Sequence, residues 1–409
     1  MRTCHEKRGP RTIFAAVLAV AAIASAPLPP AVADPGPSES DPFYVAPAEL
    51  AGYPDGAVLR TRSIALFGLP LPISAWQVLY RSTDSRQRPV AQATTVMVAD
   101  LPWLGGGPRP VLSYQVAVDS LGARCAPSRT LRGSTTGGFN TLIDSPFMAA
   151  ALLRGWAVVT SDYDGQDARF LDGVNAGRGV LDGIRAALAF GAGGIGPAGP
   201  VAAYGYSGGA YASLWAAELQ PAYAPEVRLV GVSAGGVPAD WTAIARHVDG
   251  TGQAGLAVLI VHAVTRNNPE AGIGALLNAR GAAMLAEDGD ACGEDLLPKY
   301  RDARVEEFAS VPDLLSQPNF RAALAAQELG GAAPSTPMYL YHSASDEVIP
   351  ADGFIGLVGR YCALGAAVTH RLSPLPGHNP TAVVEFGGAF DYLADRFAGR
   401  PVAPGCRVR

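Results

Sequence analysis

Residues 201–217 read Val-Ala-Ala-Tyr-Gly-Tyr-Ser-Gly-Gly-Ala-Tyr-Ala-Ser-Leu-Trp-Ala-Ala, an apolar run that enters an alanine-rich stretch through a glycine-rich turn. Residues 201–206 predict a buried strand, and residues 210–219 predict a helix. A serine in such a sharp turn adopts strained backbone angles, and glycines two residues before and after it remove side chains that would collide. The helix N-terminus favours negative charge developing beside the Ser207 hydroxyl. Ser207 is therefore the predicted nucleophile, in a turn formed by Gly205, Tyr206, Gly208 and Gly209.

Other strand and helix patterns flank this turn and are separated by Gly, Pro or Asp. Strands are predicted at 57–64, 76–81, 90–98, 110–118, 156–160, 227–232, 338–341 and 367–372, and helices at 140–153, 180–192 and 382–397. Alternating strands and helices predict an α/β fold, with a mostly parallel sheet flanked by helices and an antiparallel start. Residues 238–335 are mainly helix-like, which favours a helical cap or lid inserted before the strand at 338–341. The alternative is a helical subdomain with a stabilising role.

The N-terminus has the layout of a secretory signal peptide. Basic residues precede an apolar run from Ile13 to Ala26, and small residues precede a predicted cleavage site after Ala33. The predicted organisation is a signal peptide at 1–33, the first part of the core at 34–237, the insertion at 238–335 and the second part of the core at 336–409. The first part of the core begins with a Pro-, Ser- and Asp-rich arm that extends to about residue 48. These features predict a secreted protein.

Composition excludes two classes of protein. Hydrophobic residues make up 49% and charged residues 16%, so the chain is not intrinsically disordered. Its net charge is −5 and it has no block of Lys and Arg, so nucleic acid is not an expected partner.

The chain after Ala33 has four cysteines. An even number in an exported chain predicts two disulfides, and the residues alone leave all three pairings open. No cysteine pair has zinc-site spacing, and no ligand cluster indicates a metal or organic cofactor. The four cysteines are Cys125, Cys292, Cys362 and Cys406.

A serine nucleophile needs a histidine base and a carboxylate that orients the histidine, in the chain order Ser, acid, His. His378 follows the last core strand and precedes the final helix, which is the position the base requires. His247, His262, His342 and His370 are weaker candidates. Asp346 follows the strand at 338–341, and Glu347 and Asp352 are its rivals. Ser233 ranks behind Ser207 because no helix is predicted directly after it.

Five segments together resemble the secretory lipase family, the lipase-A-type α/β-hydrolases of fungi and actinobacteria. They are Ser113-Tyr114-Gln115, Asp119-Ser120, Cys125-Ala126-Pro127-Ser128, Gly205 to Gly209, and His342 with Asp346, Pro350 and Gly377-His378. The likeness runs from about Asp41 to Cys406 and includes Gly255-Leu256 and Asn268-Pro269-Glu270 of the insertion.

The resemblance implies an α/β-hydrolase with Ser207, Asp346 and His378 as its triad. It implies an oxyanion hole formed by the backbone N–H groups of Gly208 and Asp119, with a purely structural role as the alternative for the Asp119 side chain. It also implies disulfides that join Cys125 to Cys292 and Cys362 to Cys406. Asp162-Tyr163-Asp164-Gly165 resembles a scaffold segment. His262 and Arg266 depart from the family's apolar pattern, which favours shorter or more polar esters.

The predicted activity is that of a triacylglycerol lipase or carboxylesterase acting through an acyl-enzyme on acyl-ester or lipid substrates. Transient contact with a lipid interface is expected through the cap. Three alternatives remain: an acyltransferase with the same triad, a peptidase, and an exported binding protein that keeps the fold without turnover.

Overall fold

The computed structural model describes residues 41–133 and 138–409. The predicted signal peptide and its cleavage site lie outside the described residues. A ten-stranded sheet with the order β1-β2-β3-β5-β4-β6-β7-β8-β9-β10 runs through the molecule. Its strands are Val58–Ile64, Ile73–Thr83, Pro89–Ala99, Val111–Gln115, Ala157–Ser161, Val201–Tyr206, Leu229–Gly235, Met338–Ser345, Val368–Pro376 and Cys406–Val408.

Strand directions match the predicted sheet. The pairs β1–β2, β2–β3 and β3–β5 are antiparallel, whereas the strands from β5 through β4 to β10 pair in parallel. The expectation of a mostly parallel sheet with an antiparallel start is confirmed. Parallel strands place their carboxyl ends at one edge, and there the chain leaves β6, β7 and β8 towards the candidate site.

Eleven α-helices lie within the described residues. They are α1 Pro127–Thr130, α2 Phe139–Leu153, α3 Gly173–Phe190, α4 Gly208–Tyr223, α5 Trp241–Val248, α6 Ala254–Asn267, α7 Ala279–Glu287, α8 Gly293–Lys299, α9 Pro318–Ala325, α10 Ala351–Ala363 and α11 His378–Phe397. Helices α5 to α9 lie between β7 and β8, in the segment where the sequence predicts an insertion.

Both faces of the sheet are covered by helices. On one face, α3 packs through Val180, Leu181 and Ile184 onto β2, β3 and β5. On the other face, α2 and α11 form an aromatic core in which the rings of Phe147 and Phe386 lie 4.5 Å apart. This double cover explains why the parallel strands are nearly continuous apolar runs.

Helix α3 begins seven residues before the predicted start at 180. Glycines within its first two turns obscure the helical pattern, because glycine disfavours a helix interior. A Cβ at Gly173 would overlap the Trp215 indole, and one at Gly177 would press on Trp215 and Leu219. The glycines therefore allow α3 and α4 to pack closely.

The prediction of an N-terminal arm up to about residue 48 is wrong at Phe43 and Tyr44, which pack against the rest of the protein. Phe43 and Tyr44 are buried, and the Tyr44 hydroxyl lies 2.9 Å from Ser128 Oγ. The Arg62 guanidinium covers the Phe43 ring at 4.1 Å, and the Arg129 guanidinium covers the Tyr44 ring at 3.9 Å. Two aromatic side chains thus fix a segment whose composition is otherwise that of a loop.

Candidate active site

Ser207 lies in a strained turn between β6 and α4. Its φ is 56° and its ψ is −126°, a conformation that non-glycine residues rarely adopt. Its N–H donates to the Gly235 carbonyl at 2.9 Å, which ties the turn to the end of β7. A Cβ at Gly205 would collide with the backbone of Gly209, and one at Gly209 would collide with the Gln115 carbonyl. These contacts explain the two glycines.

Asp346 and His378 meet although 32 residues separate them in the chain. His378 Nδ1 lies 2.8 Å from Asp346 Oδ2, and both side chains are buried. Asp346 Oδ1 accepts hydrogen bonds from the N–H groups of Val348 and Ile349, both at 2.9 Å. Burial alone would raise the pKa of Asp346, but the hydrogen bond and charge of His378 and the two amides hold it below its usual value. An ionised Asp346 fixes the proton on Nδ1, which leaves Nε2 as an acceptor.

The backbone of His378 is held by two further side chains. Its N–H donates to Glu347 Oε2 at 2.8 Å, and its carbonyl accepts from the Tyr206 hydroxyl at 2.6 Å. His378 is the first residue of α11 and follows Gly377, whose φ is 96°. The sequence predicts it in the loop before that helix. Neither supporting contact is predicted from the sequence, in which Glu347 is a rival acid and Tyr206 is part of the nucleophile turn.

The competing histidine and carboxylate candidates occupy other positions. His342 is fully buried, and its Nε2 lies 3.0 Å from the Ile349 carbonyl and 3.7 Å from Asp346 Oδ2. Burial lowers the pKa of His342, which favours the neutral ring. His342 is therefore a second histidine close to Asp346, in addition to His378. Asp352 is exposed in the first turn of α10. Ser233 is fully buried within β7, and its hydroxyl has no hydrogen-bond partner within the described residues.

The neighbours of Ser207 connect it to the rest of the site. The rings of Tyr206 and His378 are 5.0 Å apart, and Gly208 packs against the carboxylate of Asp119. Within the part of the chain that the structure describes, the Ser207 hydroxyl forms no hydrogen bond. Hydrogen bonds at catalytic centres are often long before substrate binds, so the hydroxyl is free for this role.

Asp119 and Gly208 present two unused backbone donors. Asp119 follows β4 with a φ of 40°, and its carboxyl is close enough to His378 to feel the charge of that ring. Burial raises the pKa of Asp119 to about 6, and His378 opposes the rise. Neither the Asp119 nor the Gly208 N–H donates a hydrogen bond within residues 41–133 and 138–409. Unpaired amides beside a buried site are rare in folded proteins, and they suit an oxyanion.

Two links join the Asp119 loop to the helical insertion. The Cys125–Cys292 disulfide connects Cys125, which follows the Asp119 loop, to Cys292 of the insertion. In addition, the Gly293 N–H of the insertion donates to Ser120 Oγ at 3.0 Å. The second disulfide, Cys362–Cys406, joins α10 to β10. Both pairs are those that the family resemblance implies.

The side chains of Arg266 and His262 are engaged with backbone carbonyls. Arg266 donates to the carbonyls of Leu121 at 2.8 Å, Gly289 at 3.1 Å and Ala168. His262 Nε2 lies 3.2 Å from the Leu285 carbonyl. These contacts engage the Arg266 guanidinium and one ring nitrogen of His262, so they give no support to the expectation of shorter or more polar esters. Arg266 instead bridges the insertion and the Asp119 loop.

The Asp162 segment has the scaffold role that the sequence predicts. Asp162 accepts from the Ser128 N–H at 2.9 Å and the Ser128 hydroxyl at 2.5 Å, so it joins the end of β5 to α1. Within the described ranges, no group of three or more His, Cys, Asp or Glu could hold a metal. No described helix is long and apolar enough to cross a membrane.

Comparisons with known proteins give a consistent result. The family model described as secretory lipase matches residues 131–405. A probable inactive lipase of Mycobacterium tuberculosis is 35% identical over 88% of this chain and 83% of its own length. Lipase A of Arthroderma benhamiae is 34% identical over 93% of this chain and 84% of its own. The closed structure of Candida antarctica lipase A has a TM-score of 0.83 and 28% identity, covering 92% of this chain and 89% of that one.

Proposed function

The chain belongs to the secretory lipase family, and we propose that it is an active, secreted lipase or carboxylesterase with Ser207 as its nucleophile. The observation that carries the proposal is the 2.8 Å contact between His378 Nδ1 and Asp346 Oδ2 beside a serine held at a φ of 56°. A base oriented by a buried carboxylate and a serine at a helix N-terminus are what acyl transfer requires.

The reaction proceeds in two halves. His378 Nε2 takes the Ser207 proton as the hydroxyl oxygen attacks the ester carbonyl, and the Gly208 and Asp119 amides hold the resulting oxyanion. His378 then gives this proton to the departing alcohol, which leaves an acyl group on Ser207. Water, deprotonated by His378, attacks the acyl-enzyme, and the acid leaves as Ser207 regains its proton. Exclusion of water by the helical insertion would favour transfer to another alcohol in place of hydrolysis.

One relative carries the description of a probable inactive lipase, so activity has to be argued from this chain's own residues. Three features support it: a His378 ring oriented by Asp346, the backbone amides of Asp119 and Gly208, and the Ser207 hydroxyl. Neither the amides nor the hydroxyl form a hydrogen bond within the described residues. A fold kept only for binding has no physical need for all three.

Secretion is proposed on two grounds. The family is described as secretory, and two disulfides are typical of proteins that mature in an oxidising compartment. The predicted cleavage after Ala33 belongs to this proposal.

The experiment that tests the activity is turnover of p-nitrophenyl esters from acetate to palmitate. Ser207→Ala should lower kcat by about a million-fold, whereas Ser233→Ala, which removes a buried hydroxyl without a partner, should leave it nearly unchanged. A serine-reactive phosphonate should label Ser207, as located by peptide mass spectrometry. Folded wild-type protein that turns over no ester and takes no label would refute the proposal. Acyl transfer exceeding hydrolysis when an alcohol is added would indicate the acyltransferase.

Contact with a lipid interface is proposed at an apolar surface that borders the site. Helix α2 exposes Phe139, Leu142 and Ile143 by 60%, 59% and 47%. The Phe139 N–H donates to Glu294 Oε2 of α8 at 2.8 Å, so this surface adjoins the insertion. Contiguous exposed apolar side chains are typical of interaction sites. Replacing Leu142 and Ile143 with serine should slow hydrolysis of emulsified triacylglycerol but not of soluble ester; equal loss on both substrates would contradict an interfacial role.

A further inference from the structure

A cavity of about 560 Å³ lies at the end of the sheet opposite Ser207. Its wall includes Leu229 and Val230, the first residues of β7, whereas Ser207 follows the last residue of β6. A strand rises about 3.3 Å per residue, so the length of β6 separates this end from Ser207 by about 20 Å. The cavity is therefore distinct from the candidate active site.

Arg396 lines this cavity with a cation whose donors are unused. Its side chain is in the last turn of α11 and only 9% exposed. A guanidinium has five N–H donors, yet within the described residues none of them forms a hydrogen bond and the group has no ion-pair partner. The Tyr392 ring, 5.0 Å from the Arg396 guanidinium, and the C-terminal end of α11 both stabilise its positive charge. Both leave N–H groups of the guanidinium available to a ligand.

The cavity has an excess of positive charge. Arg228 and Arg400 line it together with Arg396, and none of its lining residues is Asp or Glu. Arg400 is paired with Asp395 at 2.7 Å, whereas Arg228 is exposed and forms no ion pair within the described residues. Two cations without partners and a water-accessible cavity suit an anionic group, which a guanidinium holds through two parallel hydrogen bonds.

A second cavity of about 460 Å³ lies beside the first and has aromatic and proline residues in its wall. Arg228 lines both cavities. The second is walled by the side chains of Trp103, Trp156 and Phe397 and by three prolines. A ligand that satisfies both cavities has an anionic head and an apolar body.

We propose that the two cavities bind a single-chain amphiphilic anion, with its carboxylate or phosphate head at Arg396 and its aliphatic chain along Trp156 and Phe397. Long-chain carboxylates and alkyl phosphates share this chemistry. The proposal stands apart from ester hydrolysis, because the site needs no residue of the candidate triad.

Calorimetric titration of octanoate into the Ser207→Ala variant tests the proposal without turnover. Arg396→Met keeps most of the buried stem and removes the charge, and it should weaken binding by about tenfold or more. Arg228→Gln changes an exposed side chain that has no ion pair, so it should fold normally and weaken binding by a smaller factor. Arg321→Gln, an exposed arginine of α9 without an ion-pair partner in the described chain, is the matched control.

Octyl phosphate, octanol and inorganic phosphate complete the set of ligands. Octanoate and octyl phosphate should both bind more tightly than octanol and inorganic phosphate. Whichever of these two charged ligands binds more tightly identifies whether a carboxylate or a phosphate head group is preferred. Any binding of octanoate at the candidate active site is common to all variants, so only the difference between them reports on the cavity. Octanoate affinity that is the same in Arg396→Met, Arg228→Gln and Arg321→Gln would overturn the proposal, as would octanol binding as tightly as octanoate.

Discussion

Replacing Gly208 with alanine is expected to displace Asp119 and to slow ester turnover by about 100- to 1000-fold. The new methyl carbon would lie 3.1 Å from Asp119 Cγ and closer still to Oδ1. Carbon atoms in contact are normally about 3.5–4.0 Å apart, so the Asp119 side chain has to retreat by about 1 Å. With a φ of 40°, Asp119 already has a sparsely populated backbone conformation, so we expect the displaced side chain to shift its backbone amide as well.

This displacement sets the expected magnitude. A shift of about 1 Å at a catalytic centre costs about 100-fold in rate, and loss of one oxyanion donor costs about 100- to 1000-fold. The loss should appear in kcat more than in KM, because the oxyanion forms only in the transition state. The Tm should change little, since the methyl group meets a side chain and not the backbone.

Steady-state kinetics of four proteins test this reasoning: wild type, Gly208→Ala, Asp119→Gly and the double variant. Asp119→Gly removes the carboxyl and tolerates a positive φ, so the double variant should recover most of the rate of Asp119→Gly alone. Gly387→Ala, where a Cβ meets nothing within 4 Å, is the control for a glycine replacement. A Gly208→Ala protein with wild-type kcat, or a double variant no faster than Gly208→Ala, would refute the steric argument.

Three further predictions concern the acid, a disulfide and pH. Asp346→Asn should lower kcat by about 10⁴-fold and Glu347→Gln by less than tenfold, because Glu347 contacts only the His378 backbone; equal losses would contradict this. Replacing Cys362 and Cys406 with serine should lower the free energy of unfolding by about 4 kcal/mol in denaturant titrations, since the disulfide spans 44 residues; an unchanged value would contradict loop closure. Burial raises the pKa of Asp162 to about 6, so its stabilisation is full below about pH 4 and lost as pH rises through about 6. The Tm should fall from about pH 4 to about pH 7, and less in Asp162→Asn; an equal fall would contradict it.

Local sequence patterns predict much of this molecule. The Ser207 turn is encoded within nine residues, and chain order and loop position suffice to select Asp346 and His378 as candidates. The structure brings the latter two into contact. Strands of the parallel sheet are predictable because each is an apolar run between two helical layers.

Long-range polar contacts are not predictable in this way. Arg266 meets the Leu121 carbonyl across 145 residues, and Tyr206 meets the His378 carbonyl across 172, without a local pattern to indicate either. Strand β10 is exposed along its whole length, so it lacks the alternation by which strands are recognised. Burial of Phe43 and Tyr44 depends on arginines from other parts of the chain.

The four described cysteines pair in the order in which they are synthesised, first with second and third with fourth. Translation adds about 5–20 residues per second, so Cys125 waits ~10–30 s for Cys292 across 167 residues. During that interval no other cysteine of the described chain is synthesised, and the first to follow is the correct partner. Oxidation in step with chain emergence therefore yields the native connectivity directly. Refolding of the complete reduced chain loses this advantage, because all three pairings then compete and thiol–disulfide exchange must resolve them.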